Sequence, residues 1–150
     1  MPTCLAGEPV FSHPIRVYWE DADAGGVVYH ARYLSFLERT RTEWLRAQGI
    51  ELLAARERED LVMAVRSLQV EYEGAAHLDD MLESRLWLEE RRGASFSLRQ
   101  ELWRGEECLL RAGVRVACLY AGALRPRALP PWLVAAIESP VKQATGDVLR

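Results

Sequence analysis

The apolar positions of the chain run in two periods. Ile15, Val17 and Trp19 alternate with Arg16, Tyr18 and Glu20, which predicts a short first strand after the extended approach set by His13-Pro14. The acidic and glycine residues from Asp21 to Gly26 then predict a loop. From about Val28 to Gln48 the spacing turns helical: Tyr33, Leu37, Thr40, Trp44 and Ala47 share one side, widened by Leu34, Phe36, Leu45 and Gln48, with Arg39, Glu43 and Arg46 toward the other. Gly49 offers the left-handed stop that helices favour. A helix of roughly 18 residues is about 27 Å long, and in a small protein it needs a broad surface to lie on.

The rest of the chain supplies that surface. Ile50 to Glu59 predicts a helical turn or two. Leu61, Met63 and Val65 alternate, then the parity shifts to Leu68, Val70 and Tyr72, which predicts a bulge or a strand covered on both faces for part of its length. Met81 to Glu89 places Leu82, Leu86 and Leu88 on one face, with Trp87 interrupting the polar side. Arg91-Arg92-Gly93 makes a turn, Phe96, Leu98 and Leu102 face one way on the next strand, and Arg104-Gly105-Glu106 signals another hairpin. Cys108, Leu110, Ala112, Val114, Val116, Cys118 and Tyr120 mark one face of the clearest strand, about 43 Å if fully extended and so expected to twist around the helix. Arg125 to Pro131 is an extended connection, and Trp132 to Glu138 a short terminal helix before Pro140. One helix against about five antiparallel strands is an α+β two-layer arrangement. Residues 1–13 are expected as a loose leader, 14–140 as one domain and 141–150 as a frayed tail.

Composition narrows the class. A chain of 150 residues, 49% hydrophobic and 27% charged, has the make-up of a single soluble globular domain. Its net charge of -3 weighs against nucleic-acid binding, which favours a basic field. Cys4, Cys108 and Cys118 form no Cys-x-x-Cys pair and are odd in number, so a disulfide framework is not expected and the two later ones read as small buried hydrophobes. No positive segment followed by an apolar one opens the chain, and no run of 18 apolar residues occurs. Neither secretion nor a membrane span is expected, and a reducing cytoplasm is.

The candidate chemistry lies at the entrance of the long helix. Asp21 and Asp23 are two apart and point similarly if the backbone is extended. Taken alone, Asp-x-Asp is compatible with a capping turn, a catalytic acid or part of a divalent-metal site, although the local sequence offers few of the oxygen ligands a metal needs. Gly25-Gly26 lets backbone N–H groups approach a bound group, and a helix N-terminus offers unpaired donors to a developing oxyanion. His30 is either a side chain packed over the loop or an imidazole that orients substrate or handles protons. No serine or cysteine sits in a setting that suggests a covalent nucleophile. A carboxylate facing such donors suits acyl transfer to water, and a thioester fits better than an amide because a thiol of pKa about 8.5 leaves without strong acid help.

The stretch Tyr18-Trp19-Glu20-Asp21-Ala22-Asp23-Ala24-Gly25-Gly26-Val27-Val28-Tyr29-His30-Ala31-Arg32-Tyr33 resembles the hotdog-fold acyl-CoA thioesterases, and most of all the small bacterial YbgC-type, Tol-Pal-associated branch, relatives of 4-hydroxybenzoyl-CoA thioesterase. The likeness continues through Phe36 to Glu43, Val70-Glu71-Tyr72, Leu78 to Glu83 and Arg125 to Pro130, so it spans about Pro14 to Pro131. The resemblance implies a long central helix wrapped by a curved antiparallel sheet, in homodimers that often pair into homotetramers. It implies Asp23 as the essential carboxylate, acting as general base or nucleophile. It also implies that the N–H at His30 polarises the thioester carbonyl, with the imidazole part of the active site. Gly25 and Gly26 would allow the close approach, Tyr29 and Glu38 would line or brace the pocket, and Arg91 and Arg92 would meet the CoA phosphates. The family's usual threonine between the two aspartates is Ala22 here, which removes a hydroxyl and not the carboxylate.

The expected function is therefore hydrolysis of an acyl-CoA thioester, or of an acyl-carrier-protein thioester, with no cofactor and no metal. The alternatives are a non-catalytic acyl-thioester or protein-binding module, which an intact Asp23 and His30 argue against, and a hotdog dehydratase, whose acid and base are placed differently.

Overall fold

A computed structural model of the chain describes residues 7–141. Strand β1 (Phe11–Arg16) precedes helix α1 (Arg32–Ala47) and helix α2 (Leu52–Glu59). Strands β2 (Leu61–Tyr72), β3 (Met81–Arg92), β4 (Ser95–Arg104) and β5 (Glu107–Tyr120) follow, and helix α3 (Pro131–Glu138) ends the fold. The strands form one antiparallel sheet in the order β1-β3-β4-β5-β2.

Helix and sheet meet through the periods read from the sequence. Tyr33, Phe36, Leu37, Thr40, Trp44 and Leu45 are the buried positions of α1. Leu82 and Leu86 of β3, Phe96, Leu98 and Leu102 of β4, and Leu110, Ala112, Val114, Val116 and Cys118 of β5 are buried with them in the core. Two polar contacts fix the helix in place within this apolar layer. The buried Thr40 hydroxyl donates to the Phe36 carbonyl (2.9 Å) and shares a hydrogen bond with the Ser84 hydroxyl of β3 (2.6 Å). Gln100 of β4 donates from Nε2 to the Leu37 carbonyl (3.0 Å) and accepts from Arg41 Nη1 (2.9 Å). Gly49, at φ +85°, turns the chain out of α1 as expected.

Several boundaries differ from the sequence reading: Arg91 and Arg92 end β3, paired with Phe96 and Ser95, and the turn expected at Arg91-Arg92-Gly93 falls at Gly93-Ala94. The first strand occupies Phe11–Arg16 rather than reaching Trp19, so residues 11–13 of the expected leader belong to the sheet. Trp19–Asp21 is a turn of 3-10 helix, because the Asp21 carboxylate captures the Tyr18 N–H (2.8 Å) and pulls the chain off the extended path. Helix α1 starts at Arg32 rather than Val28, since Val28 pairs with Ala22 and donates to the Ala76 carbonyl. The parity shift in β2 is a bulge at Arg66, between Val65 and Ser67. Most of that strand is exposed, so the reading of two covered faces does not hold. The expected tail from residue 142 onward, and Cys4, lie outside the described residues.

The Thr40 contact yields a stability prediction. Thr40→Val strands the Ser84 hydroxyl in the core and should lower unfolding free energy by about 1–3 kcal/mol in a urea titration. A loss below about 0.3 kcal/mol would show that the contact does not hold the helix to the sheet.

Candidate active site

The loop between β1 and α1 folds around two carboxylates of opposite character. Asp21 is 1% exposed. Its Oδ2 accepts from the Tyr18 N–H, its Oδ1 faces Arg32 Nε at 3.5 Å, and its carbonyl accepts from the Tyr29 N–H (3.3 Å). Oδ1 makes no hydrogen bond, so charge alone ties it to Arg32, which also donates from Nη2 to the Glu20 carbonyl (3.2 Å). Asp21 thereby joins the end of the 3-10 turn to the first residue of α1.

Asp23 is exposed. Its Oδ1 accepts from the Gly25 N–H (2.8 Å), its N–H donates to Val27 (2.8 Å), and its carbonyl accepts from Gly26 (3.0 Å). The result is a tight turn, and the other oxygen, Oδ2, of this exposed residue meets no hydrogen-bond donor among the described residues. Gly26 has φ +80°, a conformation that costs most other residues free energy. A Cβ on Gly25 would lie 3.3 Å from Asp23 Oδ1, so a side chain there would press on the carboxylate.

His30 sits in the turn just before α1, not in its first helical turn. Its ring meets the exposed Tyr29 ring at 4.5 Å between centroids, and its carbonyl accepts from the Tyr72 hydroxyl (2.9 Å) at the end of β2. Among the described residues, the backbone N–H groups of His30 and Ala31 donate to no acceptor. These are the open donors that a helix entrance provides. Tyr72 and Arg32 were not singled out as site residues by sequence reasoning. The Val70-Glu71-Tyr72 block of the resemblance was the signal for the first, and nothing marked Arg32 as the partner of a buried acid.

The remaining candidates lie elsewhere in the chain. Glu38 is exposed on α1 and lines a cavity of about 230 Å³ with Arg41, Trp44, Met63, Val65 and Phe96. Arg91 is ion-paired with Glu138 of α3 (2.6 Å), and Arg92 with Glu90. Both stand at the end of β3 far from Met81, roughly 35 Å along the strand from the loop that abuts the Asp23 turn. Arg92 lines an outer cavity of about 820 Å³ with Arg66 and Arg115. Asp23 and His30 wall neither cavity. Among the described residues no group of three or more His, Cys, Asp and Glu side chains is arranged to hold a metal ion, and no helix is long and apolar enough to cross a membrane. Burial pushes the Cys118 thiol up to about 11, the state of an inert core residue.

The thioesterase superfamily profile matches residues 25–110. The chain belongs to that superfamily. Over 126 residues it is 45% identical to the acyl-CoA thioesterase YbgC of Haemophilus influenzae, a match covering 84% of this chain and 93% of that protein. It is equally similar, 45% over 127 residues, to the acyl-CoA thioester hydrolase YbgC of Escherichia coli, covering 84% and 94%. The crystal structure of a probable thioesterase from Bartonella henselae superposes with a TM-score of 0.75 at 36% identity, covering 80% of this chain and 98% of that one. The protein is thus a YbgC-type thioester hydrolase with the hotdog fold, its central helix held by five strands as the resemblance implied.

The two aspartates should separate in a denaturant experiment. Asp21→Ala removes the buried carboxylate that pairs the part-buried Tyr18 N–H and faces Arg32 and should cost about 1–3 kcal/mol of stability, whereas Asp23→Asn should stay within about 0.5 kcal/mol of the parent. Equal losses would contradict the division of labour.

Proposed function

We propose that this thioesterase hydrolyses acyl-CoA with Asp23 as the catalytic carboxylate and the His30 N–H as carbonyl donor. The carrying observation is the exposed Asp23 carboxylate, fixed by Gly25 on one oxygen and open on the other, in the same loop as unpaired N–H groups at a helix entrance. The CoA substrate is supported by the printed activities of the two YbgC relatives. Asp23 Oδ2 takes a proton from water as the water oxygen bonds to the thioester carbon. The oxyanion forms against the His30 N–H. The C–S bond then breaks, and the CoA sulfur leaves with the proton returned from Asp23. Direct attack by Asp23 through an anhydride uses the same groups and differs in where the water oxygen first appears. His30 and Tyr29 would flank the acyl thioester, Gly25 and Gly26 would admit it, and Glu38 would border the cavity under α1.

The arrangement also supports a homodimer through β2. That strand is a sheet edge of 12 residues with Val65 47% and Leu68 37% exposed, an edge that invites pairing with another chain. Antiparallel pairing of β2 with a second copy, centred near Ser67, brings the Leu61 end of one copy beside the Tyr72 end of the other. Tyr72 holds His30. Arg92 lies in the strand row of Ser95, Ala117 and Ala64, so the second copy's Arg66–Arg92–Arg115 cluster moves toward the Asp23 site. This gives Arg92 a route to the CoA phosphates that a single subunit does not offer. Arg91, already engaged by α3, contributes less.

Asp23→Asn should lower kcat for a CoA thioester by about 10²–10⁴-fold with folding intact. Near-parental turnover would sink the mechanism, and single turnover in ¹⁸O-water distinguishes the routes by whether label enters Asp23. Leu68→Glu should give a monomer by sedimentation velocity, with activity lost alongside. A stable dimer in that variant would contradict pairing through β2.

A further inference from the structure

We propose that Arg104 is a positioning residue for Asp23, acting through the 75–80 loop. The inference rests on Asp23 being the catalytic carboxylate.

The Asp23 turn is held by a partner distant in sequence. Ala22 pairs with Val28, and Val27 pairs with His77. The Val28 N–H donates to the Ala76 carbonyl (2.9 Å), and the Leu78 N–H donates to the Gly26 carbonyl (3.0 Å). The 76–78 stretch is therefore the outer rung of a small ladder, and its position sets that of the turn. Tyr33 accepts from the Ala76 N–H (2.9 Å) and Arg16 donates to the Asp79 carbonyl (2.7 Å), each engaging one residue of the loop.

Arg104, the last residue of β4, engages three. Its Nη1 lies 3.0 Å from the Ala75 carbonyl, 3.2 Å from His77 Nδ1 and 2.7 Å from Asp80 Oδ2, while Nη2 donates to Glu107 Oε1 (2.8 Å). Asp80 Oδ2 also accepts from the His77 N–H (2.8 Å). The guanidinium thus closes the loop across its span, from Ala75 to Asp80. Burial works to raise the Asp80 pKa, but the hydrogen bonds from Arg104 and the His77 N–H, with their charges, leave it below the ordinary value. The ion pair is therefore held at neutral pH. Arg104 reaches Asp23 in two links: guanidinium to the 75–80 loop, and loop to the Val27 and Gly26 rung, which bonds Asp23 directly. It touches no group assigned to substrate. Loosening it should misplace the carboxylate and leave the binding surface alone, and a displacement near 1 Å at a reacting group can cost up to about 10²-fold in rate.

The test is a set of variants assayed for thiol release from an acyl-CoA and for thermal melting. Arg104→Gln should lower kcat about tenfold with KM within about twofold. Arg104→Lys, which keeps the charge on Asp80, should recover part of the loss, and Glu106→Gln in the same hairpin should match the parent. In single turnovers with excess enzyme, Arg104→Gln should add nothing to Asp23→Asn. A parental kcat in Arg104→Gln, a defect mainly in KM, or an equal drop in both backgrounds would overturn the proposal. If Arg104→Gln does not fold, Asp80→Asn carries the same test, with an intermediate loss of kcat expected and parental kcat overturning the proposal. A fully active Asp23→Asn removes the catalytic reading and this inference together. An inactive Asp23→Asn beside an unaffected Arg104→Gln removes only the role of Arg104.

Discussion

The buried carboxylate of Asp21 is the constraint on which the helix entrance depends. It receives the Tyr18 N–H on one side and the Arg32 charge on the other, while its carbonyl takes the Tyr29 N–H. A charge removed from water needs such partners, and meeting that need turns the chain sharply after β1. The strand cannot run on through Trp19, and α1 cannot begin until Arg32. Most of the residues in between lie at the surface as an irregular link, pinned to the core by Val28. That link carries Asp23, Gly25, Gly26 and His30, so a structural acid creates the exposed position of the proposed catalytic one.

Much of this was legible from periodicity because one face of each element is buried. The alternation in β5 from Leu110 to Cys118 and the helical stripe from Tyr33 to Leu45 follow directly from contact with a shared core. The bulge in β2 showed as a change of parity. The entrance was less legible. Val28 continues the apolar pattern of the helix, yet its backbone belongs to a pairing with Ala22 and Ala76. A partner nearly fifty positions away leaves no local mark. Trp19 likewise fits an alternating strand but is 82% exposed, since alternation does not reveal that Asp21 will turn the backbone.

At the site, the motif indicated which residues gather but not how far apart they stand. Asp21 and Asp23 look alike in sequence, and burial separates them. Arg91 and Arg92 read as a basic hairpin, but only the strand register shows that they occupy the end of the sheet remote from Asp23 in the same chain. The interactions that organise the loops, Tyr72 with His30 and Arg104 with Asp80, join segments whose pairing depends on the sheet order.

Cys118 has a further consequence in an enzyme whose product is itself a thiol. It is fully buried on β5, and burial pushes its thiol up to about 11, so the unreactive thiol form prevails at neutral pH. Oxidised forms of the released product therefore find no nucleophilic partner in it, and mixed-disulfide formation at this position would first require the sheet to open.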